Sequence, residues 1–205
     1  MSHKGNVYVI DDDPAMRDSL DFLLGTAGFE VTLFVNASDF LDASVDLRFG
    51  CVVSDVRMPG IDGMDLIRRL KTNASPLPII IMTGHGDIPL AVEAIKLGAL
   101  DFIEKPFEDE VLIEAIKRAA ERMGGTPSAQ DDATAVRSRL EQLSERERQV
   151  LSAVVAGLPN KTIAYDLNIS PRTVEVHRAN VMAKMQAKSL PELVRMTLSA
   201  GLGDD

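Results

Sequence analysis

Between residues 6 and 122, short apolar runs alternate with longer stretches of helical periodicity. The runs at 6–10, 30–34, 51–54, 77–82 and 101–103 read as strands, and the stretches near 14–27, 38–45, 62–72, 87–97 and 108–122 read as helices. Asp13-Pro14 opens the first helix as a cap followed by a proline at the tolerated first position. Such regular βα alternation predicts a doubly wound, five-stranded parallel sheet with helices on both faces. In such a sheet ligands gather at the carboxyl ends of the strands.

The pattern changes after residue 123. Residues 124–132 contain two glycines, a proline and polar residues without apolar periodicity, which reads as a linker. Ser144-Glu145-Arg146-Glu147 is a capping-box sequence that opens a helix ending at Gly157. A short helix over 160–167, a turn at Asn168-Ile169 and a third helix capped by Ser170-Pro171 and running to about Met185 follow. Two helices joined by so short a turn form a helix-turn-helix, whose second helix enters the DNA major groove. The organisation expected is an α/β domain over 1–123, a linker over 124–139, and a second, smaller all-α helix-turn-helix domain over 140–205.

Charge sharpens that division. Residues 1–124 carry 12 Lys and Arg against 21 Asp and Glu, whereas 125–205 carry 10 against 10, and 160–190 carry five against two. The helix-turn-helix is therefore locally basic within an acidic chain, which suits double-stranded DNA as a partner. Setting Val174 at zero and stepping about 100° per residue brings Val181 and Met185 within about 20° of it, as the buried stripe. The opposite face carries Arg172, Glu175, Val176, Ala179, Asn180 and Ala183, small and polar residues that permit approach to base edges. Lys161, Arg178, Lys184 and Lys188 are placed for phosphate contacts, and Thr173 joins them as a candidate contact near the helix start. His177 lies about 60° from the buried stripe and reads equally as packing or as a DNA contact.

The candidate chemistry of the first domain collects at strand ends. The third strand ends at Asp55, followed by the turn Met58-Pro59-Gly60; the first ends in Asp11-Asp12-Asp13, the fourth in Thr83-Gly84-His85-Gly86, and the fifth in Glu104-Lys105-Pro106. A lone acid at such a position also reads as a solvated loop cap; a parallel sheet, however, sets all these ends on one rim. Carboxylates forced together repel unless a cation is present, and an all-oxygen site suits Mg²⁺. Three histidines and one cysteine disfavour zinc. A lysine, a threonine hydroxyl and a metal would surround a phosphoryl group while a carboxylate attacks it in line, making Asp55 an aspartyl phosphate.

These residues, in this order and at these strand ends, resemble the receiver domain of two-component response regulators over about 5–122. The resemblance implies that Asp12, Asp55 and the Arg57 backbone carbonyl ligate Mg²⁺, that Asp11 holds a metal-bound water, and that Lys105 bridges to the phosphate. It implies a cis Lys105–Pro106 bond and a switch in which Thr83 moves toward the phosphoryl group while Phe102 swings inward. By residue type alone, Phe102 reads equally as strand core. The apolar residues of 87–100 beyond one core stripe read either as a readout and dimer surface or as ordinary core. His85 reads chiefly as a loop residue.

The motifs Leu143-Ser144-Glu145-Arg146-Glu147, Asn160-Lys161-Thr162-Ile163-Ala164 and Ser170-Pro171-Arg172-Thr173-Val174-Glu175 resemble the LuxR/GerE-type DNA-binding domain over about 140–200. Together the halves resemble the NarL/FixJ arrangement, and several segments resemble its nitrogen-fixation members. That resemblance implies a transcriptional activator of nitrogen-fixation or microaerobic genes, phosphorylated by a sensor histidine kinase with a haem oxygen sensor. It also implies a homodimer on phosphorylation, action on RNA polymerase, and no enzymatic activity beyond the domain's own phosphoryl transfer and dephosphorylation. The chain has no apolar run of membrane-span length and starts without the apolar core of a signal peptide; with its single cysteine, this gives a cytoplasmic, non-membrane expectation. Two other classes share the pocket: a stand-alone phosphohydrolase, which the attached helix-turn-helix disfavours, and a phosphorelay intermediate lacking sequence-specific DNA affinity.

Overall fold

In the computed structural model, which describes residues 5–47, 49–84, 88–123 and 129–201, the apolar runs of the first half become five parallel strands. These are β1 (Asn6–Ile10), β2 (Glu30–Phe34), β3 (Cys51–Asp55), β4 (Ile79–Thr83) and β5 (Asp101–Glu104), in the order β2-β1-β3-β4-β5. The helices between and after them are α1 (Pro14–Thr26), α2 (Ala37–Ala43), α3 (Gly63–Thr72), α4 (Ile88–Leu97) and α5 (Asp109–Met123). β3 and β4 are buried along their whole length, as near-continuous apolar runs in a sheet covered on both faces should be. Side chains alternate across the sheet. Val7, Val9 and Val53 pack with Leu20 and Leu24 of α1 and with Leu112, Ala115 and Ile116 of α5. On β1 the intervening Tyr8 meets the Phe40 ring of α2 at 6.0 Å.

Local chemistry starts and stops the helices where expected. Asp13 caps α1 by accepting from the Ala15 amide, Asn36 caps α2, and Asp62 caps α3 by accepting from the Asp65 amide at 2.7 Å. The fourth strand begins at Ile79 rather than at 77, although Leu77 is itself buried. Pro78 has no amide to give a ladder, and its carbonyl instead accepts from Val52.

The second half holds α6 (Ala129–Glu141), α7 (Glu145–Val155), α8 (Asn160–Asp166), α9 (Pro171–Met185) and α10 (Leu190–Ser199). Here the expected linker over 124–139 is corrected, because most of it is helix. Val136 of α6 is buried with Leu143, Leu151, Val181, Met185 and Leu193, and Arg139 donates to the Met185 carbonyl at 3.2 Å. Leu140, half-buried, packs on the same cluster, so that Val136, Leu140 and Leu143 form a short apolar stripe at i, i+4 and i+7. The chain divides into two compact units, 1–86 with 96–126, and 87–95 with 127–205. Within α4 and the turn after it, Val92, Ile95 and Leu100 are buried and Ile88, Leu90 and Leu97 half-buried.

The capping box of α7 is formed in both directions, and Glu147 also accepts from Lys184 of α9 at 2.7 Å. The Lys184 bond and the Ser144 amide hold the Glu147 carboxyl down at about 2, against an ordinary value of 4.5. A depressed carboxyl contributes stability that is complete above its unfolded value and is lost as pH falls toward its folded one. Glu147→Gln in the full chain is therefore expected to lower unfolding stability by about 1 kcal/mol at pH 7, a value discounted because Lys184 is partly exposed to solvent. Urea titrations at pH 7 and pH 3 check this: the gap between variant and wild type should shrink at the lower pH.

Candidate functional site

The strand order places the switch point, where the direction of strand addition reverses, between β1 and β3; Asp11 follows the first of these strands and Asp55 ends the second. That is the crevice position at which doubly wound sheets bind ligands. Both side chains are nearly closed off: Asp11 is 2% and Asp55 9% exposed. They are held together by one cation. Lys105 Nζ donates to Asp55 Oδ1 at 2.6 Å and to Asp11 Oδ2 at 2.9 Å, reaching in from the loop after β5. Its backbone amide is fixed by the Thr83 carbonyl at 2.7 Å, and the Lys105–Pro106 bond is cis.

Each carboxylate has its second oxygen occupied. Asp55 Oδ2 accepts from the Arg57 amide at 2.6 Å, and Asp11 Oδ1 accepts from the Asp13 amide at 2.9 Å. The burial of Lys105 by itself would lower its pKa, but the hydrogen bonds and charges of Asp55 and Asp11 outweigh that cost and raise it. A raised ammonium stabilises the fold fully below the ordinary lysine range and loses that contribution only as pH climbs past its folded value. Across neutral pH the Lys105 ammonium therefore keeps its charge.

Space is as closely set as charge. The chain after Asp55 folds back so that Gly63 donates to the Val56 carbonyl at 2.8 Å, and a Cβ on Gly63 would lie 2.5 Å from the Asp55 carbonyl oxygen. Only glycine fits there without moving the Asp55 backbone. Thr83 is buried one position beyond the Asp55–Met82 pair, and Phe102 is buried opposite Ile81. Asp12 and Arg57 are exposed at the rim. His85 lies outside the described residues.

Sequence reading overlooked Arg17, whose Nη1 donates to the Asp11 carbonyl at 2.7 Å and so braces the acidic turn from α1. Its signal was a cation near a helix start, where the helix dipole disfavours positive charge and a specific partner is needed to hold it.

Among the described residues no three Asp, Glu, His or Cys side chains converge as a ready-made metal cage. Among the described residues the donors at the rim are oxygens: the two bridged carboxylates, exposed Asp12, and backbone carbonyls. A magnesium ion, which keeps several waters and needs one or two protein carboxylates, fits such a set.

In the second half, α8 and α9 are joined by a short turn with Asn168 at φ +55°, a left-handed conformation that asparagine tolerates. Val174, Val181 and Met185 are buried, while Arg172, Glu175, Val176, Ala179 and Asn180 form an exposed face, with Val176 54% exposed. Lys161 and Lys188 are exposed and Thr173 is half-buried beside its cap, Ser170. Arg178 donates to Asn160 Oδ1 at 3.1 Å and is half-buried; that burial lowers its pKa despite the opposing charge of Glu175. Lys184 is engaged with Glu147 and, at 3.4 Å, with the Gln142 carbonyl. These two cations, expected at DNA phosphates, thus hold α9 to α8 and α7.

A phosphoacceptor-type acid pocket at the switch point of a five-stranded sheet, followed by a helix-turn-helix, defines a response regulator, and the sequence comparisons agree. The chain belongs to the response regulators, matching the response regulator receiver domain over residues 7–117 and the DNA-binding domain of the bacterial regulatory proteins of the luxR family over 141–197. It is 60% identical to the transcriptional regulatory protein FixJ of Bradyrhizobium diazoefficiens, over all of both chains. It is 59% identical to FixJ of Rhizobium meliloti, over 96% of this chain and 97% of that one. Full-length FixJ from B. japonicum, a crystal structure, matches with a TM-score of 0.59 over 98% of each chain at 60% identity. The protein is accordingly a two-component transcription regulator of the FixJ type, not a classical enzyme. Among the described residues no helix is long and apolar enough to cross a membrane.

If the Lys105 ammonium is what holds Asp11 and Asp55 together, Lys105→Met should lower stability at pH 7 by about 1–3 kcal/mol, because two carboxylates are left adjacent and unpaired. Thermal melts of variant and wild type at pH 7 check this.

Proposed function

We propose that this chain is a phosphorylation-controlled activator of transcription in which Asp55 accepts a phosphoryl group from a phosphohistidine of a partner sensor kinase. The observation that carries this is the Lys105 bridge to Asp11 and Asp55 at the rim of the sheet. An Asp55 oxygen attacks phosphorus in line as the bond to the histidine nitrogen breaks, and the imidazole leaves with the electron pair. Lys105, already in the pocket, turns its charge to the new phosphoryl oxygens, and the Arg57 amide keeps the carboxylate in the attacking orientation. Asp12, Asp55 and the Arg57 carbonyl would hold Mg²⁺, with Asp11 acting through a water. The ion, when bound, offsets the negative charge of the acids and the phosphoryl group. Thr83 then closes on the phosphoryl group and Phe102 follows it inward.

The resemblance to FixJ favours a FixL-like haem oxygen sensor as the kinase, nitrogen-fixation or microaerobic genes as targets, RNA polymerase as the recipient of activation, and the cytoplasm as location. Residues 1–123 act as the receiver and 140–205 as the DNA-binding domain, the phosphorylated receiver forming a homodimer that matches two helix-turn-helix units to a twofold site. On DNA, the α9 face of Arg172, Glu175, Val176, Ala179 and Asn180 reads bases, while Lys161, Thr173 and Lys188 hold phosphates. Arg178 and Lys184 set the pose of α9.

Light scattering of wild type and Asp55→Asn with Mg²⁺ and acetyl phosphate tests the switch: wild type should pass from monomer to dimer, and the variant should not. A variant that dimerises and activates fully with its kinase present would overturn the reading. On DNA, Lys161→Ala should reduce the slope of log K against log salt by about 1, whereas Lys184→Ala should leave the slope and lower thermal stability instead.

A further inference from the structure

Opposite the acid pocket, at the amino ends of β1 and β3, the first unit contains a half-open cavity of about 320 Å³. Asp55 lies four residues along β3 from Cys51, so the two ends of the strand are about 13 Å apart. Phe29, Cys51 and Ile116 form the cavity floor, and Phe49, Ala120 and Met123 its mouth. Among the described residues no charged side chain lines it, and Asn6 is the one polar side chain. Phe49 is 76% exposed beside the opening, an aromatic ring with most of its surface unburied. The wall beside it is fixed. The Tyr8 hydroxyl donates to the Phe49 carbonyl at 3.1 Å, and Gly50, at φ +129°, stands where a Cβ would fall 2.6 Å from the Tyr8 ring.

We infer that this cavity is a binding site for a small uncharged aromatic molecule of about a dozen heavy atoms. The volume sets the size, since a cavity of about 150 Å³ accepts benzene and this one is about twice as large. The lining sets the chemistry. Among the described lining residues water is offered a single polar side chain, and a charged ligand finds no counter-charge to replace its hydration. Two phenylalanine rings and the Met123 thioether favour a flat π-system, to which ring edges and sulfur both make good contacts. The Asn6 amide at the lip can take one hydroxyl. The bound molecule would pack the last turn of α5 against the starts of β1 and β3, and burial has already made the Cys51 thiol unreactive by raising its pKa, so binding there is noncovalent.

The probe is 2-naphthol, titrated into the full-length, unphosphorylated chain carrying labelled Met and Ile methyl groups. Saturable shifts of the Met123 and Ile116 methyls are expected, with Met185 unmoved and a Kd between about 10 µM and a few mM, as befits a ligand of this size. 2-Naphthoate, charged at the same pH, should bind at least about tenfold more weakly. Ala120→Phe, which fills the mouth from an exposed helix position, should abolish the shifts; should it fail to fold, Ala120→Leu should weaken them. The inference is overturned if Met123 and Ile116 do not respond, if the shifts survive mouth-filling, or if naphthoate binds as well as naphthol.

Discussion

Two carboxylates cannot share a closed crevice without a compensating charge, and most of the first unit is arranged around that constraint. Asp11 and Asp55 come from strands that are neighbours in the sheet and distant in sequence, so the repulsion is a cost imposed by the fold itself. Lys105 answers it from a third strand end, 94 residues from Asp11 and 50 from Asp55. The Thr83 carbonyl holds the lysine backbone and Arg17 holds the acidic turn, so the ammonium sits at the end of a chain of fixed contacts rather than on a free loop. One positive charge against two negative ones leaves the pocket short of neutrality. A site in that condition favours the arrival of a further cation, and with it of an anion for both to bind.

The helical unit solves a different problem, that of presenting one face of a helix while anchoring the other. Burial of Val174, Val181 and Met185 fixes the rotation of α9, and the polar ties from Arg178 to Asn160 and from Lys184 to Glu147 fix its tilt against α8 and α7. Cations on such a helix can bind phosphate or hold the helix, and here the two nearest the body of the domain hold it. Lys161 and Lys188 remain exposed for the solvent side.

Much of this was legible in the sequence because it rests on local rules. Strand and helix bounds follow from apolar periodicity and from Asp13, Ser144 and Ser170 as caps, and the buried stripe of α9 follows from a 100° step. The meeting of Asp11, Asp55 and Lys105 was legible only through topology, since no spacing in the chain brings them together. What was missed depends on single long-range contacts. α6 is anchored by Val136 and Leu140, a two-residue stripe too short to stand out in a polar stretch, and by Arg139 reaching the Met185 carbonyl, which leaves no periodic trace. The pairing of Lys184 with Glu147 is likewise invisible in a pattern that marks Lys184 simply as a basic residue on a basic helix.

α7 contributes Leu151 and Val155 to one apolar cluster and Val150 and Val154 to another. α9 does the same, through Val181 and Met185 in the first and Val174 in the second, so neither helix can leave without opening both. In a unit this small, with so little surface to bury, such sharing favours melting as one body. Two helices shared between the clusters thus tie the loss of either to the loss of both.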